Sequence, residues 1–201
     1  MRMRTLILLP VLAAFTAGGS FPIFPADQPP REDATRTEVR SGPGLVQQMF
    51  FLNKMRSDIE RVGIIWKRGA KGQEQTIERA NRAVASINGK LYVGYVEDKS
   101  GVAEQFRVLT REHDVQAIWI LENDGVVNAA APRKYLIKNT IRQGIPLLAP
   151  SRDWVDAGAP VAIDENNGAV QILLNEPAAK ATALTVPEKY RSNTELIAAA
   201  N

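Results

Sequence analysis

From Leu45 onward, apolar residues recur at two alternating periods. In "GLVQQMFFLNKMRSD", Leu45, Met49, Leu52 and Met55 fall on one helical stripe, and the short apolar run "RVGIIW" (Arg61 to Trp66) follows with the character of a buried strand. The pattern then repeats. "GQEQTIERANRAVASI" places Ile77, Ala80, Val84 and Ile87 at helical intervals and stops at Asn88-Gly89, after which "KLYVGYVE" is a second strand. "GVAEQFRVLTRE" is a helix with Val102, Phe106 and Leu109 inward, and "VQAIWIL" is a third strand. "VVNAAAPRKYLIKNTIRQ" is a helix closed by Gly144, with Pro132 accommodated in the first turn if the helix starts near Ala130. "IPLLAP" is a fourth strand and "PVAID" a weaker fifth. A short helix is expected after Asp164, ending near Leu174. Beyond it come a loop, a short extended stretch around Leu184, and a final short helix after Asn193.

Strands alternating with helices predict an α/β fold. The expected form is a single doubly wound parallel sheet, Rossmann-like or flavodoxin-like, of about five strands with helices on both faces. Right-handed crossovers line the loops that follow the strands along one edge, where open α/β sheets bind ligands. That edge is expected to collect Trp66 and Lys67, then Glu97, then Glu122, Asn123 and Asp124, then Ser151, Arg152 and Asp153, then Asp164.

The residues before Leu45 differ in character. "MRMRTLILLPVLAAFTAGGS" has Arg2 and Arg4 ahead of an apolar run too short to span a bilayer comfortably, followed by small residues, which is the layout of a secretory signal peptide over residues 1–19. Residues 20–44 are proline-rich and polar, as in a disordered leader. Residues 45–201 are then the folded lobe of a periplasmic or secreted protein.

Composition narrows the chemistry. A 45% hydrophobic and 23% charged chain is globular rather than disordered. Its 25 Lys and Arg are scattered among 22 Asp and Glu without a basic block, which argues against nucleic acid as a partner. With no Cys, disulfides and thiolate sites are excluded; with His113 as the sole histidine, a zinc centre is a poor expectation. His113 precedes the third strand, at the far end from the expected edge, where a solvated turn residue is the simpler role.

The familiar motifs of this sheet are absent. The loop "KRGAKGQEQ" after the first strand has Gly69 and Gly72 but not the dinucleotide spacing, and neither a phosphate-binding P-loop nor a G-x-S-x-G elbow occurs. No cofactor is implied. "END" (Glu122 to Asp124) fits a polar helix start with Asn123 or Asp124 as cap, with or without a ligand contact. Trp66 and Trp119 both fit the core, and Trp66, ending its strand, is the better candidate for a pocket wall.

Taken together, "IERVGIIW", "DVQAIWILENDGVVNAA", "GIPLLAPSRDWVDAGAPVAIDENNGA" and "SNTELIAAAN" resemble the C-terminal lobe of periplasmic substrate-binding proteins of ABC transporters, specifically the family that includes tryptophan- and tyrosine-binding members. Ile145-Pro146, Ser151, Val155, Gly158-Ala159, Asp164 and Gly168 fit the family's order, over roughly Leu45 to the C-terminus. The resemblance implies one lobe of a type I periplasmic binding protein. Such a lobe presents half a cleft, whereas the family closes two lobes around a solute. The expected ligand-binding residues are Trp66, Lys67, Asn123, Asp124, Ser151, Arg152 and Asp164, with Asp124 or Asp164 facing an ammonium and Lys67 or Arg152 a carboxylate. The expected partners are a small polar solute or amino acid, an ABC permease or other envelope protein, and a second copy of the chain. Two alternatives stand beside this binding role: a metal-dependent enzyme using Glu122 and Asp124 with magnesium, and an adaptor that binds no solute.

Overall fold

A computed structural model describes residues 43–121, 125–166 and 168–198; the expected signal segment (1–19) and the expected leader (20–44), save its last two residues, lie outside them. Helix α1 (Leu45–Met55) buries Met49, Leu52 and Met55, the stripe its spacing predicts. It leads to β1 (Arg61–Lys67), α2 (Gln73–Ala85) and β2 (Lys90–Val96). A single 3-10 turn opens α3 (Val102–Arg111), which buries Val102, Phe106 and Leu109, and β3 (Ala117–Trp119) follows. Helix α4 (Ala130–Gln143) keeps Pro132 in its first turn and ends on Gly144, whose φ of 68° is the left-handed cap that glycine adopts without strain. Strand β4 (Leu147–Ala149), the short α5 (Arg152–Asp156) and β5 (Val161–Asn166) complete the repeating part.

The chain departs from the sequence reading after Asp164. Where a short helix was expected, β5 continues to Asn166 and returns as β6 (Ala169–Leu174), antiparallel and in register from Val161↔Leu174 to Asn166↔Ala169. Gly168 at φ 77° supplies the turn, and alternation in Val170, Ile172 and Leu174 decides for strand. The segment expected as a loop contains α6 (Glu176–Ala181), started by the Asn175 side chain accepting from the Ala178 N–H at 3.1 Å. The helix expected after Asn193 is instead β7 (Thr194–Leu196), preceded by a 3-10 turn over Glu188–Asn193 and parallel to β6.

The sheet therefore has seven strands rather than about five, in the order β2-β1-β3-β4-β5-β6-β7, parallel except where β6 meets β5. Helices cover both faces. Met49 and Leu52 of α1, Ala80 and Val84 of α2 and Ala179 of α6 pack with Trp66 and Trp119 on one side. Phe106 of α3, Leu136 of α4 and Trp154 of α5 pack with Ile65, Ile118 and Leu147 on the other. The strands are apolar on both faces, as a doubly covered parallel sheet requires. Strand order reverses between β1 and β3, and this switch point, where the crossovers part to opposite faces, is where open α/β sheets hold their ligands.

Candidate functional site

At the switch point, Trp66 is the penultimate residue of β1, aligned with Tyr95 of β2. It is 2% exposed and belongs to the α1/α2 core with Trp119 and Leu121, so it is a core wall at the end of the strand. Its indole Nε1 is buried and has no hydrogen-bond partner. Trp119 shows the usual outcome: its Nε1 donates to Gln48 Oε1 of α1 at 2.9 Å. Lys67 ends β1 and is exposed. The adjacent Arg68 guanidinium pairs with Glu97 at 2.8 Å and lies over the Tyr95 ring.

Glu122, Asn123 and Asp124 lie outside the described residues. One expectation about them is nevertheless corrected. The helix after β3 begins at Ala130 with Ala129 as its N-cap, so neither Asn123 nor Asp124 caps it. Turns over residues 125–128 intervene because Val126 and Val127 are drawn into the core beneath the loop.

On the far side of the edge, Ser151 is the residue before α5, and its hydroxyl makes no capping bond. Arg152 is committed elsewhere. Its Nη1 and Nη2 donate to Glu195 Oε1 and Oε2 at 2.8 and 2.6 Å, and Gln171 Nε2 donates to the same carboxylate at 3.0 Å. The Arg152 hydrogen bonds hold the Glu195 carboxyl below its ordinary value of 4.5, and the same bonds raise the Arg152 guanidinium. Asp164 stands inside β5, opposite Gln171, rather than in a loop after it; its carboxylate accepts from the Glu165 N–H at 2.8 Å and its charge is felt at Arg152.

The seven expected residues thus do not meet as one cluster. Ser151, Arg152 and Asp164 gather over β4 and β5, while Trp66 and Lys67 sit on β1, two strands from β4 and so about 10 Å away at the usual strand spacing. Between the groups lies an arrangement the sequence reading missed. Trp154 of α5 donates from Nε1 to Asn128 Oδ1 at 3.0 Å. Arg133, in the first turn of α4, stacks its guanidinium 5.2 Å from the Trp154 ring centroid and donates from Nη2 to the Asn128 carbonyl at 3.2 Å. Its Nε is buried and unpartnered. A cation at the positive end of a helix is electrostatically misplaced unless an anion or acceptor is brought to it. That position in "AAAPRKY" was the available signal. Among the described residues no group of three His, Cys, Asp or Glu side chains is placed to hold a metal ion.

What this edge presents chemically is the exposed Lys67 at the end of β1, the Ser151 hydroxyl that caps nothing and the Asp164 carboxylate, with the Trp66 Nε1 and Arg133 Nε donors buried and unpartnered in the two cores. No family model matches the chain, and no curated protein matches it by sequence. Its fold is similar to three solved structures. The first is an ABC domain in complex with L-Trp from Streptococcus pneumoniae, at TM-score 0.65 and 13% identity over 77% of this chain and 62% of the other. The second is a conserved domain protein from Vibrio cholerae, at 0.65 and 13% over 76% and 60%. The third is a ligand-free, open substrate-binding protein with adhesive properties from Clostridium difficile, at 0.65 and 13% over 79% and 61%. The chain spans about three-fifths of the length of these structures. At this identity the likeness is one of fold alone, that of a doubly wound α/β unit. No helix among the described residues is long and apolar enough to cross a membrane.

Proposed function

We propose that the chain is an exported, single-lobe solute-binding protein that acts by binding rather than catalysis, taking a small polar, amino-acid-like solute in the periplasm or outside the cell. An ABC permease or another envelope protein, or a second copy of the chain, completes the cleft that one lobe half forms. The observation that carries the reading is the coincidence of fold and chemistry. The unit resembles substrate-binding proteins in fold, one of them solved with L-Trp, and its unsatisfied donors lie at the strand-end switch point where such sheets hold ligands.

Arg152 requires a change in the expected roles. Its guanidinium already grips the Glu195 carboxylate, so a solute carboxylate reaches it only by displacing Glu195. The Trp66 indole and Arg133 stand nearer the switch point and keep donors that no internal acceptor takes, and they serve a carboxylate there, with Lys67 beside them at the end of β1. Asp164, and Asp124 in the loop after β3, serve the ammonium.

Calorimetric titration of the purified chain with single L-amino acids and related solutes tests the reading. Binding of at least one is expected. Ser151→Ala should weaken it roughly tenfold, the loss of about 1.4 kcal/mol from one hydrogen bond. Stability should change by no more than about 0.5 kcal/mol, because the hydroxyl caps nothing. Absence of heat with every solute overturns the binding role, and unchanged affinity in Ser151→Ala together with Asn123→Ala moves the site elsewhere.

A further inference from the structure

Among the described residues the sheet ends on one side in β2, whose only neighbour there is β1. The two strands stay in unbroken parallel register from Arg61↔Lys90 to Lys67↔Val96. The Lys90 N–H donates to the Glu60 carbonyl at 2.7 Å and the Val96 carbonyl accepts from Arg68 at 2.8 Å. In a parallel ladder, backbone groups turn to one neighbour at every second residue, so Lys90, Tyr92, Gly94 and Val96 face β1. The N–H and C=O groups of Leu91, Val93 and Tyr95 therefore face away from the sheet. Edge strands are ordinarily blunted by proline, a bulge, inward charge or brevity. β7, at the opposite edge, is only three residues long. β2 runs for seven, with neither proline nor bulge.

Beside this edge lies a groove of about 380 Å³ between α2 and β2, lined by Ile77, Leu91, Val93 and Tyr95 below the polar Gln73, Glu74, Glu78 and Asn81. The apolar floor is thus made by the same residues whose backbone groups face outward.

We propose that β2 pairs antiparallel with β2 of a second copy across a two-fold axis at Val93, joining the two sheets into one. A closed two-fold requires an isologous surface, in which the strand must complement itself. It does so in three ways. Centred on Val93, the register sets Val93 against its counterpart and Leu91 against Tyr95, so that every outward N–H meets an outward C=O in hydrogen-bonded pairs. Those residues form a continuous apolar row in the joined grooves. On the other face Tyr92, stacked on its own His113, falls opposite Gly94, which has no side chain to obstruct the approach of the two strands. At the ends, Lys90 of each copy meets the stretch of its partner's strand that leads into Glu97 and Asp98, so the charges match twice. Glu78, on the groove wall, carries its own counterion, with Arg82 Nη1 at 2.8 Å. This interface is separate from the strand-end edge, and its failure leaves the solute-binding role untouched.

Light scattering coupled to size exclusion, on the chain expressed with its own N-terminal segment, should give twice the monomer mass at micromolar concentrations and above. Val93→Pro removes the N–H on the axis and should shift the dissociation constant at least tenfold toward monomer, with circular dichroism unchanged. A second variant decides the matter if that one misfolds. The chain has no cysteine, so Val93→Cys introduces a unique thiol. In a hydrogen-bonded antiparallel pair the Cα atoms lie about 5.5 Å apart, within disulfide range, and oxidation should yield a covalent dimer. Val46→Cys, on the exposed face of α1, should not crosslink under the same conditions. A monomer at every concentration, a dimer that survives Val93→Pro, or equal crosslinking of the two thiol variants overturns the proposal.

Discussion

On the β4 to β7 side of the strand-end edge, Arg152 gives both ends of its guanidinium to Glu195, Gln171 supports the same carboxylate, and Asp164 accepts from the backbone next to it. On the β1 to β3 side, Trp66 holds an indole N–H with no partner, and Arg133 at the start of α4 holds a buried Nε in the same state. A satisfied network fixes structure; a buried donor without an acceptor is a standing desolvation penalty of about 1–3 kcal/mol. The first side is a clasp that ties β7, far along the chain, to α5. The second leaves two buried donors without acceptors, and under the proposed binding role a ligand that reached them would gain what folding left unclaimed. Satisfied and unsatisfied groups are therefore unevenly distributed over this edge, with the unsatisfied donors nearest the switch point.

Trp154 joins the two sides, and removing it should produce the largest effect. It is 1% exposed, bonds Asn128 in the loop after β3, and lies under the Arg133 guanidinium. Trp154→Ala should destabilise the fold by about 3–5 kcal/mol, as for other buried aromatics cut to alanine. The denaturant midpoint measures it. A loss under about 1 kcal/mol would mean the two sides stand independently, since that is the range of ordinary surface changes.

The clasp should show itself through pH. Because the Glu195 carboxyl is held below 4.5 in the folded chain, its pairing contributes stability above that value and loses it as pH falls through the lowered one. Glu195→Gln should flatten this acid limb of the melting profile while leaving the neutral plateau little changed. It should also tighten any carboxylate-bearing solute that uses Arg152, which no longer has an internal anion to release. An unchanged acid limb would show that the pair adds nothing net, as many half-exposed ion pairs do.

The repeating half of the fold was legible for a physical reason. Between Leu45 and Ala149 each helix buries one stripe and each strand is covered on both faces, so period and run length state the element directly, and Asn88-Gly89 and Gly144 mark the stops. After Ala149 that signal fails. Five-residue α5 is too short to show a period, and the hairpin β5–β6 hinges on a turn at Gly168 that an apolar run such as "AVQILL" does not announce. The site was legible only as an edge. Ser151 and Lys67 could be placed there from strand ends alone. That Arg152 answers to Glu195, forty-three positions away, is a tertiary fact with no local trace, and so is the absence of a partner for Trp66 Nε1.

That absence gives the smallest expected effect and the sharpest comparison. Trp66 and Trp119 occupy neighbouring strands on the same face of the sheet and are 2% and 0% exposed. Each changed to Phe loses similar ring area and leaves a similar void. They differ in one bond: Trp119 Nε1 donates to Gln48 at 2.9 Å, and Trp66 Nε1 donates to nothing. Trp119→Phe therefore loses area and strands the Gln48 acceptor. Trp66→Phe loses area but removes a buried donor that has no acceptor, and the two contributions oppose each other. Unfolding of the ligand-free chain should show Trp66→Phe close to neutral and Trp119→Phe less stable by about 1–3 kcal/mol. The order should reverse in titration with a bound solute: Trp66→Phe weakens binding because the reserved donor is gone, and Trp119→Phe leaves it unchanged because its N–H was never available. Equal destabilisation by both, with equal affinity, would mean that the Trp66 N–H is no different from its neighbour's and that the switch-point side holds no reserve.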